Sequence, residues 1–331
     1  IFITHKMDEV MAFSDWVCVL QHGNVVAVKR TAETNPNELA RLMVGRDVLF
    51  RLEKEPRAPG DVILSLQNIY ASNDKGLPAL QDVSFDIHQY EIMGIAGVAG
   101  NGQQELAEVV TGLRHVRNGY VHINEVDLTN CSPLEIIKSG VSHIPADRMG
   151  MGAVGDMGVA DNIAMKGYRS APLADRGLLH PQRIIDFALT MIQQFKISTP
   201  NATTRVKFLS GGNIQKTILA REIDACTGLL VAVYPSRGLD VGATESVRRR
   251  IIEQRDEGRA VLLISEDLDE LTSVADRIAV LYEGQVMGIL TPDQVDIETI
   301  GLMMAGVGHT SPDRLSNPAS STKARGSHHA V

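Results

Sequence analysis

The chain has 331 residues, of which 44% are hydrophobic and 22% charged, a composition typical of a globular protein with a buried core. Its formal net charge of -8 disfavours a nucleic-acid partner. The three cysteines lie far apart without zinc-ligand spacing, and no stretch of the sequence approaches the ~18 continuous apolar residues that a membrane helix needs.

The N-terminal segment starts like a buried strand, with neither an initiator methionine nor a signal peptide. Residues 2–28 and 263–289 are similar without a gap, at a constant offset of 261 positions that also places Gly23 on Gly284. A register kept over this length indicates two copies of one domain. We therefore expect residues 1–50 to be the C-terminal remnant of a first copy, truncated at its N-terminus.

The rest of the chain divides into a linker, a second copy and a tail. Residues 51–60 are charged, contain proline and lack apolar periodicity, which predicts a linker. Strands alternating with helices predict an α/β domain with a parallel sheet over residues 61–307. The end, 308–331, is rich in Ser, Pro, His and Arg, and we expect it to be disordered. Strands are predicted over 62–68, 83–87 and 91–96, and helices over 181–195 and 213–225, each helix being followed by an apolar strand.

A glycine-rich turn follows the predicted strand 91–96 and precedes a helix. It matches the P-loop pattern GxxxxGK[ST], in which backbone N–H groups and a helix N-terminus cradle phosphates. Gln103 stands where a lysine would reach the β- and γ-phosphates, and Gln104 stands where a hydroxyl would hold Mg²⁺. The loop can therefore still accept a nucleotide, though weakly, and the alternative for the turn alone is a packing turn. The candidate nucleotide-binding residues in it are Gly97, Gly100, Asn101, Gly102, Gln103 and Gln104.

A second glycine motif, FLSGGNIQK, covers residues 208–216. Ser210 and the Gly211–Gly212 backbone would offer a small hydroxyl and the positive end of a helix to an incoming γ-phosphate. An ordinary serine N-cap is the alternative. The motif resembles the LSGGQ signature of ABC ATPases, in the LSGGNxQK form of sugar and nucleoside importers. The repeat, the glycine turn and residues 235–240 follow in the order of that family. The resemblance covers about residues 61–306, and residues 1–45 as the tail of the first copy.

In the family that the chain resembles, two ATP-binding domains face each other head to tail. Each ATP lies between the P-loop of one domain and the signature of the other. The resemblance implies a P-loop NTPase-type fold with a parallel sheet core, an antiparallel β subdomain and a helical subdomain. It also implies ATP and Mg²⁺ as cofactors, and it places Asp240 at the D-loop position, which acts across the dimer.

Other positions depart from the family's catalytic pattern. The Walker B strand of the family ends in Asp, for Mg²⁺, and then the catalytic Glu, but here those positions are Val233 and Tyr234. The switch His corresponds to Glu266 in the second copy and to His5 in the first, although Glu266 can also be read as a solvated residue after a strand. His5 and Ser210 would line one composite site, and every departure belongs to the other. The resemblance thus implies one hydrolytic site, completed upstream of this sequence, and one degenerate site.

The resemblance implies a role as the energising subunit of an importer for simple sugars or nucleosides. Such a subunit lies peripherally on the cytoplasmic face of the plasma (inner) membrane. Its partners are integral membrane permease subunits, indirectly an extracytoplasmic substrate-binding protein, and the first ATP-binding domain of the same parent chain. The permease would dock on residues 150–196, and Arg148 is expected at that interface. The alternatives are a soluble tandem ABC regulatory or translation protein without a membrane partner, and a non-catalytic nucleotide-sensing fragment.

Overall fold

The computed structural model describes residues 1–4, 6–21, 23–45, 52, 54–291 and 297–307. The predicted switch residue His5 and the predicted disordered tail 308–331 lie outside the described residues, as do parts of the predicted linker.

The described residues form fourteen strands and ten α-helices. In chain order the strands are β1 (Trp16–Gln21), β2 (Asn24–Arg30), β3 (Val62–Ser72), β4 (Pro78–His88), β5 (Ile92–Ala96), β6 (Val116–Ile123), β7 (Val126–Asp127), β8 (Val141–Ile144), β9 (Ala174–Asp175), β10 (Leu178–Leu179), β11 (Leu229–Val233), β12 (Ala260–Ile264), β13 (Arg277–Tyr282) and β14 (Gln285–Leu290). The helices are α1 (Met7–Phe13), α2 (Pro36–Val44), α3 (Gln103–Val110), α4 (Pro133–Lys138), α5 (Val159–Ala164), α6 (Pro181–Gln194), α7 (Gly211–Ala225), α8 (Val241–Asp256), α9 (Leu268–Val274) and α10 (Ile297–Met304).

A six-stranded sheet in the order β14-β13-β5-β12-β11-β8 carries the core. Its first five strands from the β8 edge are parallel, and β14 is antiparallel to β13. Both faces are covered, so β11 and β12 are buried at every position, as expected for a parallel sheet. Leu230 and Ala232 pack in one hydrophobic cluster with α7 and α8, whereas Leu229 and Val231 pack in another with β3 and α3. The predicted parallel sheet is confirmed.

Two further layers complete the predicted α/β fold. The antiparallel sheet β4-β3-β6-β7 packs against one face of the central sheet through α3. Helices α5 and α6 stand between β8 and α7 in the chain and pack on α7, forming the helical subdomain. The predicted helix over 181–195 is α6, and the one over 213–225 is α7. The latter begins two residues earlier than predicted, because Ser210 with its extended backbone is the N-cap.

The repeat seen in the sequence recurs in the backbone of the N-terminal segment. Helix α1 and strand β1 coincide with α9 and β13 at the offset of 261 residues. Every residue pair of the β13–β14 ladder has its counterpart in the β1–β2 ladder, and both ladders have a bulge at the same place. Gly45 and Gly306 end α2 and α10 with φ of +80° and +79°, the left-handed conformation that suits glycine.

The two similar segments differ in what covers them. Strand β13 is buried over 278–281 because it lies between β5 and β14. Within the described part of the chain, β1 pairs with β2 alone, and Trp16 and Leu20 are more than half exposed. Helix α2 packs on α8, and Val241 joins a small hydrophobic cluster built on Met7, Val19 and Leu39.

The predicted linker is held against the second copy where the structure describes it. Residues 54–60 form no helix or strand. Lys54 pairs with Asp276 at 2.8 Å and donates hydrogen bonds to the last carbonyl groups of α9 and its C-cap. The carbonyl of Glu55 accepts a hydrogen bond of 2.9 Å from Arg255. None of the helices in the described part of the chain has the length and apolar character needed to cross a membrane.

Candidate functional site

The candidate phosphate loop connects the central strand β5 to α3. Gly100 and Gly102 have φ of +90° and +103°, which favour glycine. A Cβ atom on Gly102 would lie 2.5 Å from the carbonyl oxygen of Ala79, so only glycine fits there. Because the loop follows the last residue of β5, it lies at the carboxyl edge of the parallel sheet. Open α/β folds bind their ligands at this edge.

Gln103, at the lysine position of the P-loop pattern, turns into the loop. Its side chain is buried, with 2% exposed. The amide nitrogen Nε2 donates to the carbonyl oxygen of Val98 at 2.9 Å, and Oε1 accepts the backbone N–H of Asn101 at 3.1 Å. Gln103 therefore connects the two sides of the loop, an orientation that the sequence did not predict.

Asn101 fastens the same loop to the β13–β14 turn. Its side-chain oxygen accepts the N–H of Glu283 at 2.8 Å, and its carbonyl oxygen accepts the N–H of Gly284 at 3.0 Å. The carbonyl of Gly284 accepts in turn from the N–H of Gln81 on β4. The loop is thus held by two neighbouring elements as well as by its own side chains.

The residues around this loop do not fit Mg²⁺. Gln104, at the hydroxyl position, is exposed and donates to Glu108 at 2.8 Å. Val233 is buried in the sheet and has no oxygen to offer. In the part of the chain that the structure describes, no group of three or more His, Cys, Asp or Glu side chains is placed to hold a metal ion. The described residues around this loop therefore do not supply the ligands that metal-assisted hydrolysis would need.

Tyr234 and Glu266 lie together beyond the carboxyl ends of β11 and β12. The backbone N–H of Tyr234 donates to Ile264 at 2.8 Å, and its φ is +46°. Burial and then the carboxylate of Glu266 raise the pKa of Tyr234, while Arg237 over its ring opposes the shift. Glu105 of α3 adds to the same effect, so two carboxylates act on Tyr234. Glu266 itself is exposed, as the alternative reading of that residue expects.

The signature motif begins the 15-residue helix α7. Ser210 occupies the N-cap position, but its hydroxyl makes no hydrogen bond to the helix amides. It accepts instead from the side-chain nitrogen of Asn213 at 3.0 Å. Ser210 and Gly211 are exposed, and the first N–H groups of a helix have no partner within it. The motif therefore presents a hydroxyl and a positive helix end to solvent, where an anionic group can bind.

A cleft of about 870 Å³ opens beside the signature and brings it together with Asp240 and the N-terminal segment. Asp240 is the N-cap of α8, and its side chain accepts the N–H of Ala243 at 2.8 Å. Burial lowers the pKa of Lys216 in this cleft, and Asp240 opposes that shift. Residues of the phosphate loop, Val233, Tyr234 and Glu266 do not line this cleft. The lining includes Ser210, Gly212, Asn213, Lys216, Asp240 and, from the N-terminal segment, Leu20, Gln21, Met43 and Val44.

Arg148 points towards the signature rather than away from the domain. Its guanidinium donates to the carbonyl oxygen of Arg237 and lies 3.5 Å from the place of a Cβ atom on Gly211. Burial lowers the pKa of Arg148. The sequence singled out Arg148 as an interface residue but did not predict this orientation, because the side chain contacts segments that lie 63 and 89 residues away.

These features define an ATP-binding cassette fold: a parallel sheet with a glycine loop before α3, an antiparallel subdomain, and a helical subdomain ahead of a glycine-rich helix start. Solved structures agree. A nucleotide-free ATP-binding cassette from an ABC transporter superimposes with a TM-score of 0.61 at 21% identity, covering 72% of this chain and 94% of that one. The cassette MJ0796, in a post-hydrolysis state bound to ADP and Pi, gives 0.61 at 18% identity, covering 70% and 99%. At such identities the likeness shows the fold.

The sequence comparisons give the family. Residues 80–232 match the model of the ABC transporter family, and the chain therefore contains a domain of that family. It is 46% identical to the glucose import ATP-binding protein TsgD13 of Haloferax volcanii over 93% of the chain, and 40% identical to the nucleoside import ATP-binding protein NupA of Lactococcus lactis over 92%. The guanosine import ATP-binding protein NupO of Bacillus subtilis is 42% identical over 88%. The chain spans 56% to 60% of the length of these three relatives. The resemblance read from the sequence is confirmed.

Proposed function

We propose that this chain is part of the ATP-binding subunit of an importer for sugars or nucleosides. The observation that carries the proposal is the exposed signature at the start of α7, in a chain whose similar relatives are named as glucose, nucleoside and guanosine import proteins. Membrane and extracytoplasmic partners would select the substrate, so we propose only its class, sugars or nucleosides.

We infer that residues 1–50 are the end of a first ATP-binding domain and residues 61–307 the second domain. The common ladder register of β1–β2 and β13–β14 supports this division, as does the same helix end at Gly45 and Gly306. The exposed side of β1 supports it further, because the equivalent strand β13 is covered by β5.

The two domains then have unequal roles. Ser210, Gly211 and Gly212 would hold the γ-phosphate of an ATP whose P-loop and Mg²⁺ belong to the first domain, with His5 on the same side. Asp240 borders the same cleft. Closure of the domains on ATP and their reopening after hydrolysis would drive transport, and the present chain contributes binding and positioning to that site. Its own phosphate loop, with Gln103, Val233, Tyr234 and Glu266, belongs to the degenerate site.

A group of exposed apolar side chains next to the helical subdomain is the proposed docking surface for the permease. Two segments carry it, and they are joined by backbone hydrogen bonds from Lys207 to Gly155 and from Val206 to Met157. Clustered exposed apolar groups mark interaction sites, and methionine adapts to a partner's shape. This surface would place the subunit peripherally on the cytoplasmic face of the membrane. Its members are Met149, Met151, Val154, Met157 and Phe208, each more than 40% exposed.

The experiment is co-purification of the parent protein from its native membranes. We expect integral membrane proteins to be retained, and Met157→Glu with Phe208→Glu to release them. The matched control is Val126→Glu, on the exposed strand β7 of the antiparallel sheet. Retention of ribosomes instead, with no membrane protein, would favour the soluble tandem alternative and contradict the proposal.

A further inference from the structure

The phosphate loop of this chain already contains a ligand of its own, the side-chain amide of Gln103. We propose that this amide occupies the phosphate-binding place of the loop and keeps it closed to nucleotide phosphates. The inference rests on the proposed assignment of residues 97–104 as a degenerate phosphate loop, and it is independent of what is transported.

The chemistry of the amide differs from that of the usual lysine in one decisive respect. A lysine ammonium donates only, whereas glutamine both donates and accepts. Here Nε2 satisfies the carbonyl of Val98, and Oε1 takes the backbone N–H of Asn101, a donor of the kind that a P-loop directs at phosphate oxygens. Gln103 therefore replaces a phosphate oxygen as the acceptor, and a phosphate would have to displace it.

Space at the loop is also taken. A Cβ atom on Gly97 would lie 2.5 Å from Nε2 of Gln103 and 2.6 Å from the carbonyl oxygen of Leu281. The amide is thus packed against the bare backbone that a phosphate would need to approach. Its burial, with 2% of the residue exposed, agrees with a group enclosed by the loop rather than a mobile side chain.

Charge acts in the same direction. Glu105 lies in α3 two residues after Gln103, and Glu266 follows β12, which pairs with β5, the strand that leads into the loop. In the absence of a divalent cation, these two carboxylates would repel an entering triphosphate. The hydrogen bonds of Asn101 to Glu283 and Gly284 hold the closed loop on the β13–β14 turn.

As a consequence, the loop would keep the same conformation whether or not nucleotide is present in solution. The parent protein would then respond to ATP at one composite site, and this loop would serve as a fixed support for α3 and the β13–β14 turn.

The test is calorimetric titration of the 331-residue chain with inorganic tripolyphosphate in the absence of divalent metal. Removing the amide in Gln103→Ala frees the N–H of Asn101 and is expected to tighten binding by about tenfold or more, the effect of one to two hydrogen bonds that need no longer be broken. Gln103→Lys still donates to Val98 but cannot accept, so it should bind more tightly still. The matched control Gln67→Ala, at an exposed glutamine of β3 outside the loop, should bind like the unmodified chain.

Hydrogen exchange at the backbone amide of Asn101 is a second measurement, because it reports whether Gln103 protects that N–H. Exchange should quicken in Gln103→Ala and stay unchanged in Gln67→Ala. Equal tripolyphosphate affinity in the unmodified chain and Gln103→Ala, or unchanged Asn101 exchange, would overturn the proposal. Because no membrane partner enters either measurement, a failure of the proposed importer function would leave both results as they are.

Discussion

Val44, the last residue of α2, lies against Gly242 in the first turn of α8. A Cβ atom on Gly242 would be 3.0 Å from Cγ1 and 3.1 Å from Cγ2 of Val44. Gly242 stands two residues after Asp240, and both residues line the cleft beside the signature. The N-terminal segment is therefore packed on α8, which Asp240 caps, and a side chain at 242 would disturb that contact.

The substitution Gly242→Leu is expected to loosen the N-terminal segment from α8. Overpacking at a close contact costs about 1–3 kcal/mol, which here opposes the docking of α2. Hydrogen exchange over residues 7–45 should quicken, while exchange in the buried strands β11 and β12 stays slow. The matched control is Gly301→Leu in α10, where a Cβ atom would meet no other group within 4 Å. Equal exchange over residues 7–45 in both variants would show that Val44 and Gly242 are not in contact.

Cys18 offers a chemical test of the first-domain assignment. It is exposed on β1, whereas its equivalent in the second copy, Ala279, is 1% exposed and pairs with Ile95 of β5. A longer parent protein would contain the strand of the first domain that is equivalent to β5. In that protein, Cys18 should react with a thiol reagent about tenfold or more slowly than in the 331-residue chain. Cys226 is the internal control, since burial raises the pKa of its thiol to about 11. Equal reactivity of Cys18 in the two proteins would argue against a covering first domain.

Asp276 holds the predicted linker and two cations in place. It pairs with Lys54 at 2.8 Å and with Arg255 at 3.1 Å, and Arg255 is 1% exposed. Asp276→Asn removes the carboxylate that Lys54 and the buried Arg255 share, while Asp256 still pairs with Arg255 at 2.8 Å. Because the pair is only partly buried, we expect the free energy of unfolding to fall by about 2 kcal/mol in urea denaturation. The matched control Asp74→Asn breaks an ion pair whose carboxylate is exposed, and should cost less than about 1 kcal/mol. Similar losses in the two variants would contradict the buried role of Asp276.

His143 on β8 predicts a pH dependence of stability. Burial lowers its pKa from 6.5 to about 4, with Glu222 opposing the shift and Lys166 adding to it. Between pH 6.5 and 4 the unfolded chain binds a proton at this residue that the folded chain does not, so stability falls on acidification by about 3 kcal/mol. His143→Gln should remove most of that decline in urea unfolding measured across this range. The exposed His115→Gln is the control and should leave the decline as it is; an unchanged decline in His143→Gln would disprove the assignment.

The sequence predicted the backbone well where local chemistry decides it. The strand–turn–helix around Gly97–Gln104 and the helix after Ser210 follow from glycine positions and apolar periodicity, and both are present. It did not predict the inward turn of Gln103, because the same residue on the outside of a turn would have the same sequence neighbours. Arg148 was expected at a partner interface, and that role stays a prediction. Its contacts with Gly211 and Arg237 depend on how the helical subdomain packs. The apolar periodicity of the sequence carries no information about that packing.

We infer that ATP hydrolysis by the parent protein uses the signature of this chain and not the phosphate loop of this chain. This inference is tested most directly by the ATP turnover of the parent protein carrying Ser210→Arg or Gln103→Ala, with Ser170→Arg at an exposed serine as the control. We expect Ser210→Arg to lower ATP turnover by about 100-fold or more, the scale of removing a stabilising group from a reacting phosphate. Turnover of the other two variants should stay within about twofold of the unmodified protein. Full turnover in Ser210→Arg, or a comparable loss in Gln103→Ala, would contradict this inference.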